Sequence, residues 1–440
     1  MSGTRNQNRT IHTKLAIAVA AAFVAVNANA SEPVARASLL LNDGNALRSW
    51  IQAHQPEIQV LAARRREASA GTKDVRLLPN PILTLGMAGV TFGARNPSGL
   101  SFFDTPNYQV TLAQIVEIGK RSHRIRSADL HAQSIESDGK YLQGALLADA
   151  RESLAKVVYL RERQHVLEER LQAARAIVLL DQTRLDKGDV SGIDHSRLML
   201  DVVNVERQLA ENANDAAEAQ SGCTAALGTL CEADVPADQL DLVIGALPAE
   251  IAARFEPMAR PDVQAQLTEA EAQREQARLF ENRAIPDPLV GVSYLRDNLT
   301  VAGNQPHTFG VFVALPLPVS DRGQHQRTQA LERAEQFSAE ARRTALTATS
   351  EAQYYVRAEQ LMAQKLTMLK DRALPLGVNV LDATEKAYRL GQVSMTDLLL
   401  ARRQRGELAL DLIDTRYALF QIRSQLRRVF GLDVAGGPPQ

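Results

Sequence analysis

The chain has 440 residues in which 50 lysines and arginines nearly balance 51 aspartates and glutamates, so no overall field points to nucleic acid or an anionic substrate. Aromatic residues make up only 5%, with a single tryptophan, Trp50; that is thin for a conventional globular core, whereas an alanine-rich, charge-interleaved composition favours long helices. The eight histidines are scattered, and the metalloprotease, nucleophile-elbow, P-loop and dinucleotide-binding patterns are all missing. The expectation is a chain without catalysis, cofactor or metal site.

In chain order, residues 1–30 read as a secretory signal peptide: Arg5, Arg9 and Lys14 lead, Leu15 to Val26 is apolar, and Ala28-Asn29-Ala30 has the small-x-small form of a cleavage site. The apolar run is shorter than the ~20 residues a spanning helix needs, and no later stretch reaches ~18 apolar residues. A helix is expected from about Ala46 to Asp74, mildly kinked or restarted at Pro56 and stopped by Leu78-Pro79-Asn80-Pro81, since proline cannot continue the hydrogen-bond ladder. Two strands follow, over about 82–92 and 108–114. In them Leu83, Leu85, Tyr108 and Val110 alternate with small or polar residues at period two. From about Ser122 to Lys187 there is no proline, and apolar positions recur at three- and four-residue steps, so a helix on the order of 100 Å is predicted. Its partner runs from about Ile193 to Leu230. Between them Gly188, Val190 and Ser191 form a tight turn, with glycine as a left-handed cap and serine starting the next helix. Cys223 and Cys231 are eight apart; they pair only if the helix breaks near Gly228, and otherwise remain two free thiols.

The same sentence is then spoken again about 205 positions later. Gln55-Pro56-Glu57 returns as Arg260-Pro261-Asp262, Leu78-Pro79-Asn80-Pro81 as Ile285-Pro286-Asp287-Pro288, and Leu227-Gly228 as Phe430-Gly431. Gly188-Asp189-Val190-Ser191 with Asp194 returns as Gly391-Gln392-Val393-Ser394 with Asp397. Four landmarks in conserved order make this a tandem duplication of one large unit. Strands are therefore expected over about 289–296 and 307–315, with Val292, Tyr294, Phe309 and Val311 on their apolar faces, and a second turn at Gly391, Val393 and Ser394. The chain divides into a first repeat (31–232), a linker (233–254), a second repeat (255–432) and a disordered tail (433–440). The fold class is mainly α with a small β part. Pro375 has no counterpart in the first repeat and predicts a kink in the second hairpin only.

Four strands cannot close a barrel, and an open-edged sheet cannot sit in lipid, so several chains must contribute to one cylinder. A secreted, duplicated helix-strand-strand-helix chain with very long hairpins resembles the TolC-like outer membrane factor family. Gln114-x-x-Glu117-x-Gly119-Lys120-Arg121, and Leu315-Pro316-Leu317-Pro318 with Asp321-Arg322-Gly323, are similar to segments of its CzcC-type cation-efflux branch. The resemblance implies a homotrimer whose twelve strands form an outer membrane barrel, continued as an α-helical tunnel across the periplasm. It also implies a periplasmic adaptor protein and an inner membrane pump of the resistance-nodulation-division type. The implied function is an exit duct for heavy-metal cations. Drug efflux or type I secretion is the alternative, and a soluble periplasmic coiled-coil scaffold is the alternative of another class.

On that reading Leu83, Leu85, Tyr108, Val110, Val292, Tyr294, Phe309 and Val311 face lipid, and the two turns dock the adaptor. Asp397 falls where relatives carry an inward acidic residue near the periplasmic constriction, and three copies would make a carboxylate ring. Asp194 is its first-repeat equivalent, and Arg402 and Arg197 are the candidate partners. The plainer alternative for both aspartates is a carboxylate in the first turn of a helix.

Overall fold

The computed structural model describes residues 33–90, 105–187, 190–298 and 306–433. The expected signal peptide, Gly188 and residues 434–440 of the expected tail lie outside them. A short strand β1 (Ala35–Arg36) precedes α1 (Gly44–His54) and α2 (Pro56–Asp74). Then come β2 (Ile82–Ala88), β3 (Asn107–Ile115), α3 (Arg121–Leu185) and α4 (Gly192–Leu227), and β4 (Cys231–Glu232) ends the first repeat. The second repeat runs through α5 (Pro261–Glu281), β5 (Leu289–Arg296), β6 (His307–Ala314), α6 (Gln324–Met368), α7 (Leu374–Arg389) and α8 (Met395–Val429). Among the described residues no helix is long and apolar enough to cross a membrane.

The helix expected over about 46–74 restarts at Pro56 and runs as α1 and α2. Gln55 is extended between them, and its buried amide donates to the carbonyls of Ala225 and Ala226 at 3.1 and 2.8 Å. Those carbonyls lie in the last turn of α4, where helix geometry leaves acceptors unsatisfied. Arg260, the repeat equivalent of Gln55, donates to the Val429 carbonyl near the end of α8 at 2.8 Å. The x-Pro landmark is thus a capping device used twice. Gly228 belongs to the same junction: its φ is +72°, and a Cβ there would lie 2.4 Å from the His54 carbonyl oxygen. The turn it makes ends α4 and lets Cys223 and Cys231 approach to a Cα separation of 6.2 Å, where they form a disulfide.

The expected linker 233–254 is packed structure. Ala233, Ala237, Leu240 and Ile244 are buried with Leu47, Leu154, Val158, Leu227 and Phe420 in the largest apolar cluster. Asp433, expected in the tail, is likewise buried. Its carboxylate accepts from Arg151 at 2.9 and 3.0 Å and lies 3.3 Å from Arg427. At Pro375 the continuous ladder gives way to a wide π turn over Leu369–Ala373 that leads into α7, whose second residue is the proline. The proline lacks an N–H and crowds the preceding turn, and the wider turn accommodates both.

α3 packs on α5 along its upper half through a polar ladder. His123 Nδ1 meets Glu275 at 2.7 Å, Ser127 donates to the Ala272 carbonyl at 2.9 Å, His131 Nδ1 meets Glu269 at 2.8 Å, and Ser134 donates to the Ala265 carbonyl at 2.8 Å. His123 and His131 are thus interhelical partners. The hydrogen bond to Glu269 raises the His131 pKa. Burial pushes the Glu269 carboxyl up, but the hydrogen bonds from His131 and Gln273 outweigh it and hold it below its usual range.

The sign of the linkage follows. The His131 contribution is fully present below the ordinary imidazole pKa and is lost as pH rises through the raised folded value. The Glu269 contribution is present above the ordinary carboxylate pKa and is lost as pH falls through the lowered one. The destabilisation caused by His131→Gln is therefore expected to be largest at roughly pH 5–6, between the two reference values, and to shrink on either side. Thermal unfolding of both proteins from about pH 4 to about pH 9, a range that brackets both reference values, checks this; a pH-independent difference would remove the ion pair as its cause. The half-exposed imidazole keeps the effect small.

Candidate functional site

The four long strands form one antiparallel sheet in the order β2-β3-β5-β6, leaving β2 and β6 as open edges. Its register aligns Leu83, Leu112, Val292 and Val311 in one cross-strand row and Leu85, Val110, Tyr294 and Phe309 in the next. Met87, Tyr108, Arg296 and His307 make a third row at the loop end. Opposed residues of an antiparallel pair share a face, so the eight expected lipid-facing residues all lie on one side of the sheet. Val311 and Phe309 there are 79% and 81% exposed. The central row of the other face is small and polar (Thr84, Thr111, Ser293, Gly310), while Ile82 and Phe312 flank the small Ala113 and Gly291 in the row beside it.

The motif residues behind the strands join sheet to helices. The Gln114 amide donates to the Pro79 carbonyl at 2.7 Å, Lys120 pairs with Asp287 at 2.7 Å, and Glu117 pairs with Arg124. The Asp287 carboxylate also accepts from the Ile118 N–H at 2.9 Å. These contacts link the first repeat's post-strand segment to the Pro-Asp-Pro landmark of the second.

At the far end, both hairpins turn beside one another. Gly391 has φ +69°, and the Gln392 N–H reaches back to the Ala387 carbonyl at 2.9 Å, the wrapped form of a glycine cap. Ser191 and Ser394 are N-caps: the Ser191 hydroxyl accepts from the Ile193 N–H, and that of Ser394 from the Asp397 N–H. Val190 and Val393 are half-buried, and Val393 packs against a cluster of Ile177, Leu198, Tyr388, Met395 and Leu398 drawn from both hairpins.

The acidic candidates are locally engaged. The Asp397 carboxylate accepts from the Ser394 hydroxyl at 2.6 Å and its N–H at 3.0 Å, closing a capping box, and these bonds hold its pKa below the usual carboxylate range. Asp194 pairs with Arg197 at 3.2 Å, and Arg197 also donates to Thr396 of the second hairpin at 3.4 Å. Arg402 is not brought to Asp397. It pairs with Glu385 on α7 and donates to the Ala173 carbonyl of α3 at 3.2 Å, because its position on α8 faces the crossing of the two hairpins.

The sequence reading missed Asp181. It is 1% exposed and accepts from His195 Nδ1 at 3.2 Å, while its other oxygen has no partner. Its neighbour Arg184 donates to the Tyr388 hydroxyl at 2.7 Å, across to the second hairpin. The signal was present: Asp181 continues the buried stripe Leu167, Leu171, Ala174, Ile177 at helical spacing. Among the described residues no three metal-ligating side chains come together.

No protein-family model matches the chain. The cobalt-zinc-cadmium resistance protein CzcC of Cupriavidus metallidurans is 24% identical over 364 residues, covering 82% of this chain and 80% of the relative. The solved structure of CusC, described in terms of folding and transmembrane channel formation, superposes with a TM-score of 0.73 at 15% identity over 90% of this chain and 92% of its own. The CmeC outer membrane channel of Campylobacter jejuni gives 0.72 at 13% identity over 90% and 87%. The open MtrE outer membrane channel of Neisseria gonorrhoeae gives 0.72 at 12% identity over 91% of each chain. The chain thus has the fold of these outer membrane channels over nine-tenths of its length, and its sequence is similar to that of CzcC.

Proposed function

We propose that three copies of the chain form the outer membrane exit duct of a tripartite efflux assembly that exports heavy-metal cations. The observation that carries this reading is the sheet: one face apolar across its two central rows and largely exposed, an opposite face with a small and polar central row, and two unpaired edges. An exposed apolar face of this extent is unfavourable in water, and open backbone edges are unfavourable in lipid. Joining β6 of one copy to β2 of the next removes both costs, giving twelve strands with apolar side chains outside and polar ones toward a lumen. The ~100 Å helix α3 and its partners extend the lumen into the periplasm.

The tips at Val190, Ser191, Gly391, Val393 and Ser394 are the surface for a periplasmic adaptor, and an inner membrane pump supplies the energy. The exposed Asp397 carboxylates of three copies would attract cations at the entrance. The duct performs no chemistry. The cargo class follows from the likeness to a cobalt-zinc-cadmium resistance protein.

Purified protein should run as a trimer and give stepwise conductance in planar bilayers; a monomeric, detergent-independent, non-conducting protein would return the reading to a periplasmic scaffold. Deletion should sensitise cells to cobalt, zinc or cadmium. Sensitisation to drugs alone would reassign the cargo.

A further inference from the structure

Adjoining the apolar cluster at the tips, whose Ile177 and Leu198 contribute to its wall, residues of α3, α4, α7 and α8 surround a partly open cavity of about 80 Å³. Four arginines line it: Arg170 from the first hairpin, and Arg402, Arg403 and Arg405 from the second. Gly406 makes the approach possible, since a Cβ there would meet the Arg170 Cδ and Nε at 3.1 Å. The arginine side chain is laid across the glycine of the opposite hairpin.

The carboxylates nearby are already committed. Glu385 takes Arg402, and Glu407 takes Arg403 at 2.8 Å, with Asp201 also drawing on Arg403. Glu169 lies 3.6 Å from His165. Arg170 reaches only the Gln208 side-chain oxygen, at 3.5 Å, and Arg405 has no ion pair among the described residues. The Arg402 Nε is buried with no hydrogen-bond partner. Guanidiniums from two hairpins thus face one partly open space, Arg170 and Arg405 without an ion pair among the described residues and the buried Arg402 Nε without an acceptor. An anion there would supply the acceptor that the Arg402 Nε lacks and the counter-charge that Arg170 and Arg405 lack.

We propose that this cavity is a binding site for a small tetrahedral oxyanion of the phosphate class, which ties α3 to α8 and so holds the two hairpins together above their tips. The planar guanidinium fork matches such an anion, and several forks around one ion neutralise it from different sides. The volume is sufficient: at roughly 10–15 Å³ per water on this measure, it holds several waters or one oxyanion in their place. The role in holding a duct closed rests on the proposed function, whereas the binding site itself does not.

The test uses the full-length, detergent-purified assembly and inorganic phosphate, titrated calorimetrically against chloride at matched ionic strength. One saturable phosphate site per chain is expected. Replacing both Arg170 and Arg405 by glutamine should weaken it at least tenfold, and lysine at both positions should retain more of it. Phosphate should raise the unfolding temperature of the wild type but not of the glutamine variant. Absence of saturable binding to the wild type overturns the proposal, and so does equal binding by wild type and variant. If the double variant does not assemble, Arg405→Gln alone and the wild-type titration decide the matter. Bilayer conductance on the same preparation keeps the two readings apart: a conducting protein that ignores phosphate sinks only the site, and a phosphate-binding protein that never conducts sinks only the duct.

Discussion

Asp433→Ala should lower the stability of the assembled protein by about 3–5 kcal/mol, although the residue stands eight places from the end of the sequence. The carboxylate is 3% exposed and binds Arg151, itself 5% exposed, through two nearly equal hydrogen bonds of 2.9 and 3.0 Å. Arg427 approaches the same carboxylate at 3.3 Å, and the Asp433 carbonyl accepts from Arg48 at 3.4 Å. Removing the acid leaves a guanidinium inside the helical body with its counter-charge gone, and the cost of that uncompensated charge dominates the loss. Arg427→Gln should cost much less, because that side chain keeps access to water. The double variant Arg151→Met/Asp433→Leu, which removes charge and counter-charge together, should recover most of the loss. Thermal unfolding of the three proteins in detergent measures all of this. An Asp433→Ala protein as stable as the wild type would show that the C-terminal anchor is dispensable.

What the sequence revealed and what it hid divide along a physical line. Local chemistry was legible: alternation over Val290 to Tyr294 and Phe309 to Val313 identified a two-faced sheet, and Gly391 with Ser394 identified a glycine cap followed by an N-cap. Each of those features is decided within a few residues. The hidden features depend on partners far along the chain. Arg151 lies 282 positions from Asp433, so nothing near residue 433 distinguishes an anchored acid from a frayed tail. Pro236, Gly245 and Pro248 break the segment 233–254 into pieces too short to show a period, and its apolar side chains find their core only because β1 and α8 are folded beside it. Arg402 was assigned to the nearest acids along the sequence, but the crossing of α7 and α8 offers it Glu385 instead. Asp181 and the histidines of the α3–α5 ladder were readable in principle, since each sits at helical spacing on a buried or half-buried stripe. The repeat itself helped most where it was imperfect: Gln55 and Arg260 differ in chemistry yet cap equivalent helices, so the duplicated landmark is the geometry of a donor before proline.

The face assignment of the sheet makes the sharpest demand on membrane assembly, because neighbouring residues on one strand must answer differently to the same charge. Val292→Arg and Val311→Arg each place a guanidinium in the row shared by Leu83 and Leu112. If that face meets lipid, each substitution costs about 2–4 kcal/mol near the bilayer midplane, and a trimer carries it three times. The expected outcome is a chain that is exported but depleted from outer membrane fractions. Ser293→Arg, one residue along β5, projects from the opposite face beside Thr111 and Gly310. It should assemble at near-normal levels and change single-channel conductance or ion preference, since three added positive charges would line a water-filled lumen. The contrast tests register as well as environment: a one-residue slip in pairing would exchange the two faces and invert the results. Equal tolerance of arginine at 292 and 293 would mean that neither face meets lipid, and the open edges at β2 and β6 would then need a different partner.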